Sequence, residues 1–283
     1  MISAIKLKKV KVYLRALFMK KKLRQRYRRV ASALLILKAV RSYKWGVSYS
    51  VFDNEEMLEH SIKHIRSHVD YVNVVYQRES WYGNPASESL LPTLYSLQEK
   101  GLIDELIEYK AAPSIKAVTQ ERSKRNLGLE HAKKAGIDYF MTMDCDEFYV
   151  GQEVEKAKYV IVKYGITHSF ADIFNYFSPT LRSPEPTVSY VNFFSRITRS
   201  SSLTHKNRHS IALVDPTRML SHYWGSKYYF LHSIAMHHMT MYRKDIIKKM
   251  RNSTCRLFYT SIPEATGYVE VKDIFHLNGI FKE

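Results

Sequence analysis

The sequence predicts an α/β fold, a mostly parallel central sheet with helices on both faces, preceded by a basic helical segment. Three observations predict it. From Trp45 onward, short apolar runs with strand character alternate with helical periodicities. Gly101 and Gly136 stand where two of those helices should end. One apolar strand runs without a break into the acidic cluster Asp144, Asp146 and Glu147.

Residues 1–44 mix apolar positions such as Ile5, Val10, Leu14 and Phe18 with a dense basic run from Lys20 to Arg29, and contain neither Gly nor Pro. This composition predicts a helix on a membrane surface, with a solvated basic tail as the plainer reading. From there WGVSYSVF, starting at Trp45, reads as a buried strand, Glu55 to His68 as a helix, and Asp70 to Gln77 as the next strand. Pro92 to Lys100 reads as a helix, Ile103 to Tyr109 as a strand, Thr119 to Ala135 as a helix, and Tyr139 to Met143 as a short strand. This βαβα order predicts parallel pairing, and ligands of such sheets bind beyond the carboxyl ends of the strands. After Tyr149 the rhythm is less regular. Tyr159 to Phe170 and Val188 to Ile197 read as strands around a Pro-marked loop, Ser195 to His209 as a polar, mobile stretch, and Tyr242 to Asn252 as a helix. The expected organisation is a basic segment, 1–44, and one domain, 45–283, with halves at 45–150 and 151–283.

A formal net charge of +17 invites a nucleic-acid reading, but the charge is confined to one end. The first 44 residues hold 15 of the 44 Lys and Arg and none of the 27 Asp and Glu. The body is therefore nearly neutral, which argues against nucleic acid and for a tail that docks on an anionic membrane. Two cysteines without a paired spacing argue against a disulfide framework or a structural zinc site. The longest apolar run, Val30 to Val40, is far shorter than the ~20 residues a spanning helix needs. No small-residue cleavage site follows it, so a cytoplasmic protein, peripheral on the inner face of the membrane, is expected.

The segment DYFMTMDCDEFY, Asp138 to Tyr149, carries the most chemistry. It sets two carboxylates, Asp144 and Asp146, at a strand's carboxyl end. Hard oxygen ligands of this kind select Mg2+ or Mn2+, and such an ion can bridge a diphosphate and neutralise it as a bond to it breaks. A DxD on spacing alone is also compatible with a solvated turn.

At this point the chain resembles the GT-A glycosyltransferases, especially those of family 2, whose DxD follows the same kind of strand. Arg125-Asn126-Leu127-Gly128-Leu129 with Ala132 is similar to their RNxGL pattern on the helix before that strand. Asp53-Asn54-Glu55-Glu56 looks like their first nucleotide-binding loop, without its usual small-residue and proline signals. The resemblance covers roughly Trp45 to Asn252 and implies a Rossmann-like GT-A domain whose first half binds a nucleotide diphosphate sugar and whose second half binds a glycan or lipid-linked acceptor. It implies donor contacts at Asp53, Arg125, Asn126 and Asp144, and a late histidine, His237 or His238, as a metal ligand beside Asp144 and Asp146. Alternation along a strand allows only one of the two into the site, and His238 is favoured; a histidine packed among aromatics is the plainer reading. Arg243 is the expected clamp on the leaving diphosphate, because a guanidinium grips phosphate oxygens in a bidentate way. An inverting mechanism also needs a carboxylate base, for which Asp172, Glu185 and Asp215 are candidates. Surface polysaccharide or lipopolysaccharide synthesis is the setting the resemblance implies.

Two rival readings remain. A strand followed by DxD also describes the nucleophile loop of haloacid dehalogenase-type phosphatases and phosphotransferases, but Phe148 stands where Thr or Val is usual there, and this DxD lies mid-chain. A non-enzymatic membrane- or nucleic-acid-binding module explains the basic leader and leaves the carboxylates unexplained.

Overall fold

The computed structural model describes residues 25, 26, 28–52, 54–112, 114–204, 213–221, 223–253, 267–278, 280 and 281. The chain divides into two units, Met1–Ser42 and Tyr43–Glu283. In the first, residues 28–42 form a helix on which Val30, Leu34, Leu35 and Leu37 are exposed. No described helix is long and apolar enough to cross a membrane.

The second unit is an α/β domain with a Rossmann-like, mostly parallel core. Strands β1 (Trp45–Val51), β2 (Tyr71–Tyr76), β3 (Glu105–Glu108) and β4 (Tyr139–Met143) alternate with helices α1 (Glu55–Arg66), α2 (Leu90–Glu99) and α3 (Ala117–Lys134). They pair in parallel in the order β3-β2-β1-β4, with Tyr49 of β1 opposite Val74 of β2 and Met143 of β4. Six of the seven β1 residues are buried, so both faces of this central strand are covered, as a parallel sheet requires. All four expected strands and all three helices of this half are present, with ends shifted by a few residues.

The RNxGL segment has a clear structural reason for its glycine. A Cβ on Gly128 would lie 2.0 Å from the Ser48 hydroxyl oxygen, so only glycine lets α3 rest directly on β1. Asn73 on β2 donates its side-chain N–H to the Gly128 carbonyl at 2.9 Å, locking that contact. Lys124, Arg125, Gly128, Leu129 and Ala132 form the buried stripe of α3, at the spacing one helix face demands.

Beyond β4 the sheet continues through antiparallel β8 (Val191–Arg196) to β6 (His168–Ser178). Strand β9 (Tyr228–His238) runs parallel to β6 and returns to pair antiparallel with the short β5 (Glu147–Phe148). A small hairpin strand β7 (Leu181–Arg182) and β10 (Val269–Glu270) extend the far edge.

Two expectations are corrected here. The strand expected over Tyr159 to Phe170 is instead the end of helix α4 (Gly151–Tyr164) followed by the start of β6. Gly165, at φ 60°, closes the helix with the left-handed turn that favours glycine, and the apolar run on either side of it belongs to two different elements. The helix expected over Tyr242 to Asn252 is confined to α5 (Ile246–Asn252), capped by the Asp245 carboxylate accepting from the Lys248 N–H, which leaves Arg243 and Lys244 in the loop before it. Of the stretch expected to be mobile, Ser195 to His209, residues 195 and 196 end β8, residues 197–204 form a turn and connecting segment, and residues 205–209 lie outside the described residues.

Candidate active site

β4 delivers Asp144, Cys145 and Asp146 to the carboxyl end of the parallel strands. A cavity of about 270 Å3 opens there, lined by both aspartates, by Ser50, Phe52 and Trp81 from the first half, and by His238, Arg243 and Lys249 from the second. The acidic turn is tied at its base, because the Asp144 backbone N–H donates to Glu147 Oε2 at 2.9 Å and the Glu147 N–H to the Asp144 carbonyl at 3.2 Å.

Each aspartate meets a different set of cations. Asp144 Oδ2 accepts from Arg125 at 3.0 Å and from Arg218 at 2.7 Å. Burial would push this carboxyl up, but the two guanidiniums hold it below its usual value. Asp146 Oδ2 bonds Arg243, and lies 3.5 Å from His238 Nε2 and 3.6 Å from Lys249 Nζ. Burial opposes its ionisation too, and Arg243, His238 and Lys249 outweigh it, keeping the carboxyl well below the carboxylate range. Cys145 between them is buried and its thiol is pushed up by that burial, so it is inert.

Arg218 organises the acidic turn from beneath. Its guanidinium bonds both oxygens of Glu147, at 2.5 and 2.7 Å, reaches Asp144, and sets its Nε 2.9 Å from Asp215 Oδ2. The other Asp215 oxygen accepts from the backbone N–H and the hydroxyl of Thr217, each at 2.8 Å. Two lysines complete the cavity wall. Lys124 donates to the Val51 carbonyl at 2.7 Å and sits 5.6 Å from the Trp81 ring centroid, while Lys249 donates to the Thr240 carbonyl and hydroxyl at 2.6 and 2.7 Å. Burial lowers Lys124 to about 7 and Lys249 to about 8.

Asp144, Asp146, Arg125, His238 and Arg243 thus meet at one cavity. The two histidines separate as alternation requires. Opposite Glu147 in the β5–β9 register, His238 reaches the cavity, whereas His237 pairs with Phe148 and turns into the core. There its Nδ1 lies 2.8 Å from the Tyr176 hydroxyl, its ring packs on Phe275, and burial drops its pKa to about 4.

Several expected residues have other roles in this geometry. Asn126 spends its side-chain amide on the Leu203 backbone, accepting from the N–H at 2.7 Å and donating to the carbonyl at 3.1 Å, so it fixes a loop and does not line the cavity. Asp215 is held ionised, below its usual value, with its oxygens occupied by Arg218 and Thr217, which makes it a poor proton acceptor. Asp172 on β6 faces an exposed His232 at 3.2 Å, Glu185 is an exposed loop residue, and neither lines the cavity. Asp53 lies outside the described residues. Sequence reasoning gave no role to Lys124, Ser50, Phe52 or Trp81, which line the cavity; it had placed Lys249 among the basic residues after His238, some of which should face phosphates, and Arg218 in a possible donor or acceptor loop with Asp215. Lys124 had a signal, since it is adjacent to Arg125 in the conspicuous helix motif.

Two of the expected metal ligands, Asp146 and His238, stand together on the cavity wall. A hard cation such as Mg2+ or Mn2+ is commonly held by one or two protein carboxylates plus phosphate oxygens, not by a full protein cage. A carboxylate and an imidazole 3.5 Å apart on a cavity wall, Asp146 and His238, suit that arrangement. In both aspartates one oxygen is already taken by cations, Asp144 Oδ2 by Arg125 and Arg218 and Asp146 Oδ2 by Arg243 with Lys249 3.6 Å away, so an ion would have to use the remaining oxygens or displace those cations. Among the described residues no group of three His, Cys, Asp or Glu side chains converges as a complete ligand set.

No protein-family model matches the chain, and no curated protein sequence matches it. Among solved structures it is similar to Staphylococcus aureus TarS residues 1–349, at 12% identity and a TM-score of 0.36, over 47% of this chain and 36% of that one. The same protein in complex with UDP matches at 11% identity and a TM-score of 0.35, over 47% of this chain and 36% of that one. Its complex with UDP-GlcNAc gives 11% and 0.33, over 47% and 35%. The chain therefore spans about a third of the length of the TarS chains it matches.

Proposed function

We propose that the domain beginning at Tyr43 is a glycosyltransferase that takes a sugar from a nucleotide diphosphate donor. The observation that carries this reading is the composition of the cavity beside Asp144 and Asp146. Phe52 and Trp81 offer ring surface for a base, and Arg125, Arg243 and Lys249 offer positive charge for a diphosphate. The acidic turn stands among them at the strand ends where ligands of such sheets bind.

In this reading Arg243 and Lys249 carry the leaving diphosphate. Both now neutralise Asp146, so an incoming phosphate exchanges one anionic partner for another, and the guanidinium fork suits phosphate oxygens as it suits carboxylate. Asp146 and His238 would hold Mg2+ or Mn2+, which supplies Lewis-acid neutralisation of the leaving group. Arg125 and Arg218 fix Asp144, and Glu147 fixes Arg218, so the acidic turn is preorganised before the donor arrives. Excluding water from this wall strengthens every charge contact in it.

The acceptor in this proposal is a glycan or lipid-linked glycan, in surface polysaccharide or lipopolysaccharide synthesis. The first 44 residues would hold the enzyme on an anionic membrane at the cytoplasmic face. Basic residues beside the exposed Val30, Leu34, Leu35 and Leu37 on one helix support that anchoring, at roughly 1 kcal/mol per charge near anionic lipid.

The test is thermal stabilisation by UDP or GDP with and without Mn2+, followed by hydrolysis of a panel of nucleotide sugars without acceptor. Stabilisation that requires nucleotide and Mn2+ together, with release of one sugar, is the expected result. A protein that no nucleoside diphosphate stabilises, with or without metal, ends the proposal; hydrolysis of p-nitrophenyl phosphate instead would favour the phosphatase reading.

A further inference from the structure

A second cavity, of about 550 Å3, adjoins the first across Arg243, which lines both. Of the residues singled out from the sequence, Arg243 lines it, and so do Asn54, Glu55 and Glu56 of the segment that resembles a first nucleotide-binding loop; that segment therefore faces this cavity and does not line the one beside Asp144 and Asp146. One wall carries Glu55 and Glu56 from the first turn of α1 together with the Ser87 and Ser89 hydroxyls, and the other carries Lys244 and Lys248. Ile280 and Phe281, from the end of the chain, supply an apolar surface.

The polar wall is organised in advance. Ser89 donates its hydroxyl to Glu55 Oε1 at 2.5 Å, and the Ser87 and Ser89 hydroxyl oxygens lie 2.6 Å apart. Glu55 is buried, at 4% exposure, and Oε2 has no hydrogen-bond partner among the described residues.

The charges of the cavity balance. Arg243, Lys244 and Lys248 face Glu55, Glu56 and Asp245, so a strongly anionic ligand meets as much repulsion as attraction, and so does a cationic one. A neutral polyol is the ligand class that uses both signs, because each hydroxyl donates to a carboxylate and accepts from an ammonium or guanidinium. The C–H face of a pyranose also packs on an aromatic ring such as Phe281. We propose that this cavity is the acceptor subsite and that it takes a neutral, hydroxyl-rich glycan, entering from the side of Arg243 opposite the donor. The assignment of the ligand as the acceptor rests on the glycosyltransferase reading above; the assignment of the cavity as a glycan site does not.

The test uses the full chain and the variants Phe281→Ala, Lys244→Ala and Ser87→Ala. Binding of maltotriose, cellotriose and chitotriose is followed by saturation-transfer NMR and titration, beside binding of UDP. At least one trisaccharide should bind the wild type, and the variants should weaken it by roughly tenfold while UDP affinity stays within twofold. Binding of none of the three to the wild type, or undiminished binding in all three variants, overturns the proposal. Hydrolysis of nucleotide sugar without acceptor is measured on the same samples, and its rate should be the same in wild type and variants. Glycan binding with no such hydrolysis in the wild type would refute the glycosyltransferase reading and leave the cavity as a glycan site, so the two failures are distinguishable.

Discussion

Replacing Arg218 by Met should destabilise the domain by more than any single change at the cavity rim. Arg218 is 4% exposed and is shared by Glu147, Asp144 and Asp215, of which Glu147 is 1% exposed. Methionine fills much of the same volume, so the loss is mainly of charge pairing. Removing one partner of a buried ion pair costs about 3–5 kcal/mol, because the other charge is left uncompensated. The electrostatic origin has a pH dependence that lost packing does not. Burial raises the Glu147 carboxyl above its usual value, against the pull of Arg218. A carboxyl raised in the folded state contributes stability at low pH that is lost as pH rises through its folded value. Without Arg218 that value rises further, so the deficit of the variant relative to wild type should be larger at pH 8 than at pH 5. Urea unfolding at the two pH values measures it, and Arg218→Met with Glu147→Gln should recover part of the pH 8 loss. A deficit below about 1 kcal/mol, or one equal at both pH values and untouched by Glu147→Gln, would refute the reasoning.

Three further outcomes follow from the site. His238→Ala should lower Mn2+-dependent donor hydrolysis by about 10–100-fold with little change in melting temperature, whereas His237→Ala should cost about 1–3 kcal/mol of stability and spare hydrolysis; the reverse pattern would exchange their roles. Asp146→Asn should abolish the Mn2+-dependent part of nucleotide stabilisation, while Asp144→Asn should weaken nucleotide binding with and without metal, since Asp144 is fixed by Arg125 and Arg218; calorimetry with UDP separates the two. Because Lys124 is lowered to about 7 by burial, the folded state holds fewer protons than the unfolded one above that pH, so wild-type stability should rise from pH 7 to 9. Lys124→Met should flatten that rise in urea unfolding, and an unchanged slope would show that the lysine is charged throughout.

The first half of the domain was readable from the sequence because its elements are local. Each helix declares itself by periodicity, two of the three also by a closing glycine, and each strand by an apolar run, so β1 to β4 were found within a few residues. Gly128 shows why the RNxGL segment carries information beyond periodicity, since its identity is set by contact with Ser48 on β1. The second half depends on pairings that no local signal encodes. The run around Gly165 has the same apolar character in a helix and in a strand, and what divides it is one left-handed turn. Asn126 was assigned to the donor by its motif, but both ends of its amide are used on Leu203, 77 positions later.

Arg218 and the histidine pair mark how far such reading can go. Arg218 reaches Glu147 across 71 positions and Asp144 across 74, and it follows an Asp-Pro-Thr loop that has the composition of any polar turn. It reaches the acidic turn from a segment held on either side by the bridges of Val214 to Tyr190 and Leu220 to Leu203. The pair at His237 and His238 is the intermediate case. Alternation along a strand requires the two rings to part, and this can be known from sequence; which ring enters the cavity depends on the phase of β9. That phase is set by the pairing of β9 with β5, where Glu147 faces His238 and Phe148 faces His237. The Met239 N–H donates to the Asp146 carbonyl at 2.8 Å and anchors the same register. A slip of one residue would bury His238 beside Tyr176 and present His237 to Asp146, so the candidate metal ligand is selected by the register of a two-residue strand.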